Sequence, residues 1–393
     1  MDCSTTSILQ LINENDEVFL TDALLKNEIF NDEAVGKLKI DYKKQLWDEN
    51  KSYAVQVSKS FFSSKRHSQK TWARRVNLCA NLLEYGWVEM DNNQFLLKLK
   101  TAKFCRVRFC PVCQWRRSLM WVSRFFDSFP RIHKDYPKMR YIFVTFTVAN
   151  VPVTELRQTV SVMGTAWKRL IKYKSYPALG FVRSLEVTKE KDLYEYETVF
   201  DEKTQKTVKK KTDKLIRSAR PDYCHPHFHV LMAVPASYFG KNYLSKDEWA
   251  LMWQKALRVD YKPVCDVRVV KPRKQSKQAM NVDDLPEKAA LDAIISAVTE
   301  TVKYSVKPSD MVSDSSWFLE VADQLHKTRA VALGGVFKKY FSIDNEDFIL
   351  EKNKSDSNLS ENKGGLMFSF RQTLKRYQRS RFFETRVNLS SPE

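Results

Sequence analysis

The chain has 393 residues, 43% of them hydrophobic and 12% aromatic, enough to bury a substantial core in two or three domains and too apolar for a disordered chain. Lys and Arg outnumber Asp and Glu to leave a net charge of +19, which points to a polyanionic partner. No run approaches the ~20 apolar residues of a membrane span, and the start is not a secretion signal, so nucleic acid is the better partner.

Residues 1–50, with 11 Asp/Glu against 5 Lys, read as an acidic, partly helical extension. Residues 60–90 read as helix because Trp72, Val76, Cys79 and Leu83 recur at spacings of three and four. Alternation over Gln94–Lys100 predicts a strand, a cysteine cluster follows, and Ser118–Phe129 predicts an amphipathic helix carrying Trp121, Val122, Phe125 and Phe126. Tyr141–Val148 is β-branched and aromatic throughout, a strand. A helix over Leu156–Lys172 and a strand over Phe181–Thr188 come next. The polar excursion Lys189–Arg220 predicts a hairpin turning near Asp201–Thr204. A buried strand through Val230–Val234, a helix over Lys246–Leu257 and a strand over Cys265–Val270 complete the core. Lys271–Gln278 reads as a basic linker, Leu285–Tyr304 as a helix, and Lys352–Lys363 as a flexible connection to a basic tail with Arg371, Lys375, Arg376, Arg379 and Arg381.

This order predicts an α+β fold, an antiparallel-type central sheet with helices packed on it, rather than a doubly wound parallel sheet. Nine glycines leave little room for a glycine-rich phosphate loop. The expected division is an acidic extension at 1–50, a Cys-rich region at 51–135, a catalytic domain at 136–345 and a flexible basic tail at 346–393.

His225-Pro226-His227-Phe228-His229 holds three of the six histidines. Side chains two apart on a strand share a face, so His227 and His229 point the same way and can grip one divalent cation. An oxygen ligand is expected beside them for phosphoryl chemistry. Glu186 is the best candidate, from a strand able to neighbour the histidine strand. His225 has the same parity, but Pro226 interrupts a regular pleat. The competing reading is structural histidines or a zinc site.

In 289–304, Leu291, Ile294, Ile295, Val298 and Val302 form an apolar stripe, and Glu300 and Tyr304, four apart, share another face with Lys303 beside them. A phenol with a pKa near ~10 is both a workable nucleophile and a workable leaving group for a phosphodiester. Glu300 could activate water for a second cleavage. An ordinary solvated i, i+4 pair is the alternative.

Cys105, Cys110 and Cys113, with Cys79, could form a closed zinc centre, or could be buried free thiols. The odd total of seven cysteines argues for a reducing cytosol. Arg106, Arg108, Arg116 and Arg117 with Trp115 would suit DNA phosphates and exposed bases. The run Lys203–Arg220, including Lys209, Lys210 and Lys211, is either a solvated hairpin or a DNA clamp.

His225–Leu231 resembles the metal motif of the HUH endonucleases. Glu300-Thr301-Val302-Lys303-Tyr304 resembles the catalytic-tyrosine motif of rolling-circle plasmid replication initiators, most closely the Rep_1 group, in which a glutamate precedes the tyrosine by four. Phe143–Val148 followed by Asn150 resembles that family's first motif, and Cys105–Arg117 its cysteine-rich segment. Together these span residues 70–340 in the family's order. The resemblance implies His227 and His229 as ligands of Mg²⁺ or Mn²⁺, Tyr304 as covalent nucleophile and Glu300 as the base for termination. It implies nicking of a single-stranded or cruciform origin site flanked by duplex, with host helicase, DNA polymerase and single-strand-binding protein as partners in a bacterial cytoplasm. An HUH transposase or relaxase is a rival with the same chemistry. A non-catalytic zinc-stabilised DNA-binding repressor is a rival of another class.

Overall fold

The computed structural model describes residues 17–20, 41–89, 95–201, 206–240, 242–270, 297–298, 300–302, 305–341 and 366–380. The chain forms two compact units, divided at residues 129/130 and 340/341.

The first unit contains α1 (Asp41–Ser63) and α2 (His67–Leu78). Its antiparallel sheet runs in the order β1 (Glu17–Leu20), β3 (Phe95–Ala102), β2 (Leu82–Glu89), β12 (Leu366–Arg371), β13 (Arg376–Arg379). The helix expected through Leu83 stops at Leu78 instead. Ala80 adopts a left-handed φ of 51°, the chain reverses there, and Leu83 enters β2. The stretch expected as a basic tail supplies β12 and β13. Leu366 and Tyr377 are buried, so the basic residues lie on a hairpin with an apolar side of its own. The helix predicted over Ser118–Phe129 is part of a longer one, α3 (Pro111–Asp135), which holds Pro130 at the division between units.

The second unit is built on an antiparallel sheet in the order β10 (Cys265–Val269), β4 (Met139–Thr147), β9 (Tyr223–Pro235), β6 (Gly180–Lys189), β11 (Val331–Gly335), with β5 (Val151–Pro152) also paired to β9. The α+β class expected from the sequence is therefore observed. The histidine strand β9 is central, which explains its near-continuous apolar run: Val230–Val234 is fully buried.

Pro226 does not interrupt β9. It stands opposite Val187, whose N–H turns away from β9 to the Ser305 carbonyl at 2.8 Å. This is a non-hydrogen-bonded pair, so the proline nitrogen faces the other side, beyond the last β4 partner at His227.

One face of this sheet is covered by α4 (Leu156–Leu170) and α5 (Lys246–Leu257). Their buried stripes, Leu156, Met163, Ala166, Trp167 and Leu170, and Trp249, Ala250, Trp253, Ala256 and Leu257, recur at helical spacing. Ser245 and Glu248 form a reciprocal capping box at the start of α5, worth ~1 kcal/mol. Phe146 of β4 lies at the centre, with ring centroids 5.8, 5.8 and 5.1 Å from Trp167, Trp249 and Trp253.

At the β6 edge, Gly335 has φ +57°, and a Cβ there would meet the Leu179 carbonyl oxygen at 2.0 Å, so only glycine lets β11 turn into α6 (Val336–Tyr340) at this distance. Between β6 and β9 the chain makes a separate two-stranded ribbon, β7 (Leu193–Asp201) and β8 (Lys206–Arg217).

Candidate metal and phosphodiester site

The face of the second sheet opposite α4 and α5 gathers the polar residues. Strand alternation and register put His227 and His229 of β9, Glu186 of β6, Thr145 and Thr147 of β4, and Arg268 of β10 on this face. Glu186 stands directly opposite His227, and Thr145 directly opposite His229.

Glu186 Oε2 lies 2.7 Å from His229 Nε2 and 3.2 Å from His227 Nε2, and the two imidazole nitrogens are 3.1 Å apart. The far side of each ring is tethered. His227 Nδ1 is 3.2 Å from the His225 carbonyl, which can only accept, so Nδ1 carries the proton. His229 Nδ1 meets the Thr145 hydroxyl at 3.2 Å. With His227 Nδ1 protonated, and His229 in the tautomer whose Nδ1 donates to the Thr145 hydroxyl, two imidazole nitrogens and a carboxylate oxygen turn their lone pairs on one point. Such a convergence needs a cation, either a proton or a metal, to be stable. The mixed N,N,O donor set fits a divalent ion, with the ring orientation fixed from behind as metal-binding histidines require. With protons rather than a metal at the two Nε2 atoms, hydrogen bonds from His227 and His229 outweigh the burial that alone would raise the Glu186 carboxyl, and hold it well below the usual carboxylate range. Lys307 Nζ approaches its other oxygen at 3.8 Å.

His225 belongs to a different network. Its Nδ1 is 2.6 Å from Asn150 Oδ1, and Asn150 Nδ2 donates to Glu190 Oε1 at 2.7 Å. Glu190 also accepts from Arg217 (3.0 Å), from the Arg220 guanidinium (2.7 and 2.9 Å) and from the Arg220 backbone N–H (2.8 Å). This buried carboxylate fixes the base of the ribbon and braces the start of β9. Nothing in its sequence context, the opening of a polar excursion, marked it. The Arg220 hydrogen bonds hold the Glu190 carboxyl well below its ordinary value of 4.5. A depressed carboxyl adds stability above its unfolded pKa and loses it as the pH falls through the folded value. Urea unfolding from about pH 6 to about pH 3 should therefore show wild-type stability declining more steeply below ~4.5 than that of Glu190→Gln. Parallel curves would show that Glu190 adds nothing to the acid limb.

Glu300, helical together with Thr301 and Val302, is half-exposed and accepts from Arg268 Nη2 at 2.8 Å. The Arg268 guanidinium lies 4.9 Å above the Phe143 ring, which in turn lies 5.4 Å from the His229 ring. Lys303 and Tyr304 lie outside the described residues. Their neighbours are tied to the strand that carries Glu186: the Ser184 hydroxyl donates to the Thr301 carbonyl and the Val187 N–H to the Ser305 carbonyl.

In the first unit, the sulfurs of Cys79, Cys105, Cys110 and Cys113 lie within 4.8 Å of one another and all four residues are buried. Hydrogen bonds from the Cys105, Cys110 and Cys79 thiols push Cys113 well down, and Cys79 and Cys110 are pushed up. Trp115, expected to offer its face to bases, is instead buried edge-on against Trp47 at 4.8 Å. It follows Val112 by three on the same buried side of α3, so the helix start places it inward. Arg116 lies over the Trp47, Phe104 and Trp115 rings at 5.7, 5.8 and 5.9 Å. Arg108 is half-buried over Phe109, and desolvation pulls its guanidinium down to about 10. Arg106 is exposed and Arg117 half-buried. Lys210 and Lys211 are exposed on β8, which also contains Lys209.

Among the described residues no helix is long and apolar enough to cross a membrane. The Rep_1 family, described as a replication protein, matches residues 96–378. Similar proteins include a "Protein rep" of Streptococcus pneumoniae, 29% identical over 73% of this chain and 78% of that one. A "Protein rep" of Bacillus amyloliquefaciens is 33% identical over 68% of this chain and 71% of its own. A "Replication protein" of Staphylococcus aureus is 27% identical over 52% and 74%. No solved structure matches. The matched span includes the antiparallel sheet that presents Glu186, His227 and His229 on one face. The chain belongs to the Rep_1 family of replication proteins, as the resemblance of its motifs implied.

Proposed function

We propose that the protein starts rolling-circle replication of a plasmid by nicking one strand at its origin. The observation that carries this reading is the convergence of Glu186, His227 and His229, with the residues flanking Tyr304 hydrogen-bonded to the Glu186 strand. Tyr304 is the nucleophile: its phenol loses a proton, the oxygen bonds to phosphorus, and the P–O3′ bond breaks. The departing 3′ oxygen gains a proton and becomes the primer for the host polymerase, while the 5′ phosphate stays esterified to the tyrosine. A divalent ion, Mg²⁺ or Mn²⁺, held by His227, His229 and Glu186 would supply Lewis-acid polarisation of the scissile phosphate. Lys307 adds positive charge beside Glu186, and Lys303 is assigned the same role toward the phosphate. Glu300, oriented by Arg268, is the base that activates water at termination, so one tyrosine suffices for both ends of the cycle.

The partner is origin DNA, a single-stranded or cruciform nick site with flanking duplex, and the host helicase and single-strand-binding protein complete the fork in the bacterial cytoplasm. The ribbon supports this. Tyr196 and Phe200 are exposed and alternate along one face, with Lys211 opposite Tyr196, a stacking surface interleaved with positive charge. Arg106, Arg116 and Arg117 are further candidates for phosphate contacts.

The test is a single-stranded origin oligonucleotide with Mn²⁺ and the full chain. Wild-type protein forms a denaturation-resistant adduct, and Tyr304→Phe lowers its rate by at least ~10³-fold. An undiminished adduct in that variant removes Tyr304 from the role, and no adduct with wild type leaves a DNA-binding repressor in its place. Glu300→Ala should nick at near wild-type rate but release product on the order of 10²-fold more slowly.

A further inference from the structure

The cysteine cluster has more internal order than a set of buried thiols needs. Cys79 ends α2, Cys105 follows β3, and Cys110 and Cys113 flank the start of α3, so three separate pieces of chain meet there. Cys113 Sγ is 3.6 Å from both Cys79 Sγ and Cys105 Sγ. Zinc–sulfur bonds of about 2.3 Å at tetrahedral angles set sulfurs about 3.8 Å apart, and the observed spacing matches that edge. A disulfide would require one preferred pair, and Cys113 has two equal neighbours. Backbone N–H groups already point at sulfur: that of Cys105 at Cys79 Sγ (3.4 Å) and that of Val107 at Cys105 Sγ (3.5 Å). Arg106 takes a left-handed φ of 58°, which bends the Cys105–Cys110 loop around the sulfurs.

A second feature fits the same centre. Lys51 of α1 is 0% exposed, and its ammonium donates to the carbonyls of Asn77 (2.8 Å) and Cys79 (2.6 Å). A lysine completely removed from water is rare without a counter-charge. Four thiolates around one Zn²⁺ carry two surplus negative charges, and Lys51 is the cation placed beside them.

We propose that Cys79, Cys105, Cys110 and Cys113 form a closed tetrathiolate zinc site, and that Lys51 is a positioning residue that offsets its charge. Binding converts the thiols to thiolates and releases their protons to solvent. The site has no open position, so it organises the first unit rather than taking part in strand cleavage. It does not depend on the nicking reading, because its ligands are distinct from Glu186, His227 and His229.

The experiment uses the full chain purified without added metal. One zinc per chain is expected, and it is kept by Cys265→Ala and by a His227→Ala/His229→Ala double variant. Replacing zinc by cobalt in wild-type protein should give the intense visible bands of tetrahedral cobalt thiolate, a readout that needs no cysteine variant to fold. Cys110→Ser should lose those bands. Lys51→Met should still bind but yield its zinc to a chelator roughly 10–100-fold more readily, the range for residues behind the ligands. The site is refuted if wild-type protein shows no cobalt–thiolate bands and all four sulfurs titrate as free thiols, or if the metal follows the histidines and not Cys110. Unchanged zinc release from Lys51→Met would overturn the role given to that lysine.

Discussion

Replacing His229 by alanine should lower single-turnover nicking by at least ~10³-fold, the scale of losing one electrostatic contact to a reacting phosphate, while leaving the fold intact. His229 Nε2 makes the shortest approach to Glu186 Oε2, 2.7 Å, and its other nitrogen is anchored on Thr145. Removing the ring leaves Glu186 and His227, too few donors to hold a divalent ion against water. Mn²⁺ titration should register the lost affinity, and thermal unfolding should register little, since the deletion relieves converging lone pairs as well as removing contacts. Thr145→Val, which frees the ring without deleting a ligand, should cost roughly 10–100-fold in metal affinity. Nicking by His229→Ala within a few-fold of wild type would mean that catalysis does not run through this triad.

The opposite face of the same strands should respond in the opposite way. Phe146→Ala is expected to destabilise the second unit by ~3–5 kcal/mol, the range for truncating a buried Phe that the surrounding structure cannot collapse around. Phe146 is fully buried among Trp167, Trp249 and Trp253, and the Trp253 indole N–H is already held by the Thr147 carbonyl at 2.8 Å. Those rings are fixed and a cavity remains. The melting temperature should fall by on the order of 10 °C, whereas Mn²⁺ affinity at low temperature should stay near wild type because Thr145 and His229 project from the other side. A drop in metal affinity equal to that of His229→Ala would show that the two faces are not separable.

The second unit's sheet was legible because its strands obey simple periods. Tyr141–Val148, Phe181–Thr188 and the histidine run are apolar and β-branched, and the structure has β4, β6 and β9 over them. The α5 helix has the predicted bounds, Lys246–Leu257, because a capping box opens it and its apolar residues keep helical spacing. Parity pairs His227 with His229, Glu186 is the candidate beside them because its strand could neighbour theirs, and the register sets Glu186 opposite His227. What escaped detection depended on contacts distant in sequence. Cys79 and Leu83 continue a helical pattern, but a left-handed residue at Ala80 ends it, and only the meeting with Cys105 and Cys113 explains why the chain turns there. Trp115 looked available beside four arginines, and it is enclosed by Trp47 from a helix some seventy residues earlier. Glu190 gave no local signal because its partners Arg217 and Arg220 lie across a 27–30-residue excursion.

That excursion has an architectural consequence. Lys189 and Cys224 face each other as the last rung between two adjacent strands of the sheet, so everything from 190 to 223 occupies the place of an ordinary hairpin loop. Among the described residues the ribbon strands β7 and β8 pair only with each other, so their length and surface can change without altering the ladder beneath. Under the proposed function, substitutions in this exchangeable cassette, clipped at its root by one acidic side chain, should alter target preference while leaving the metal triad in place.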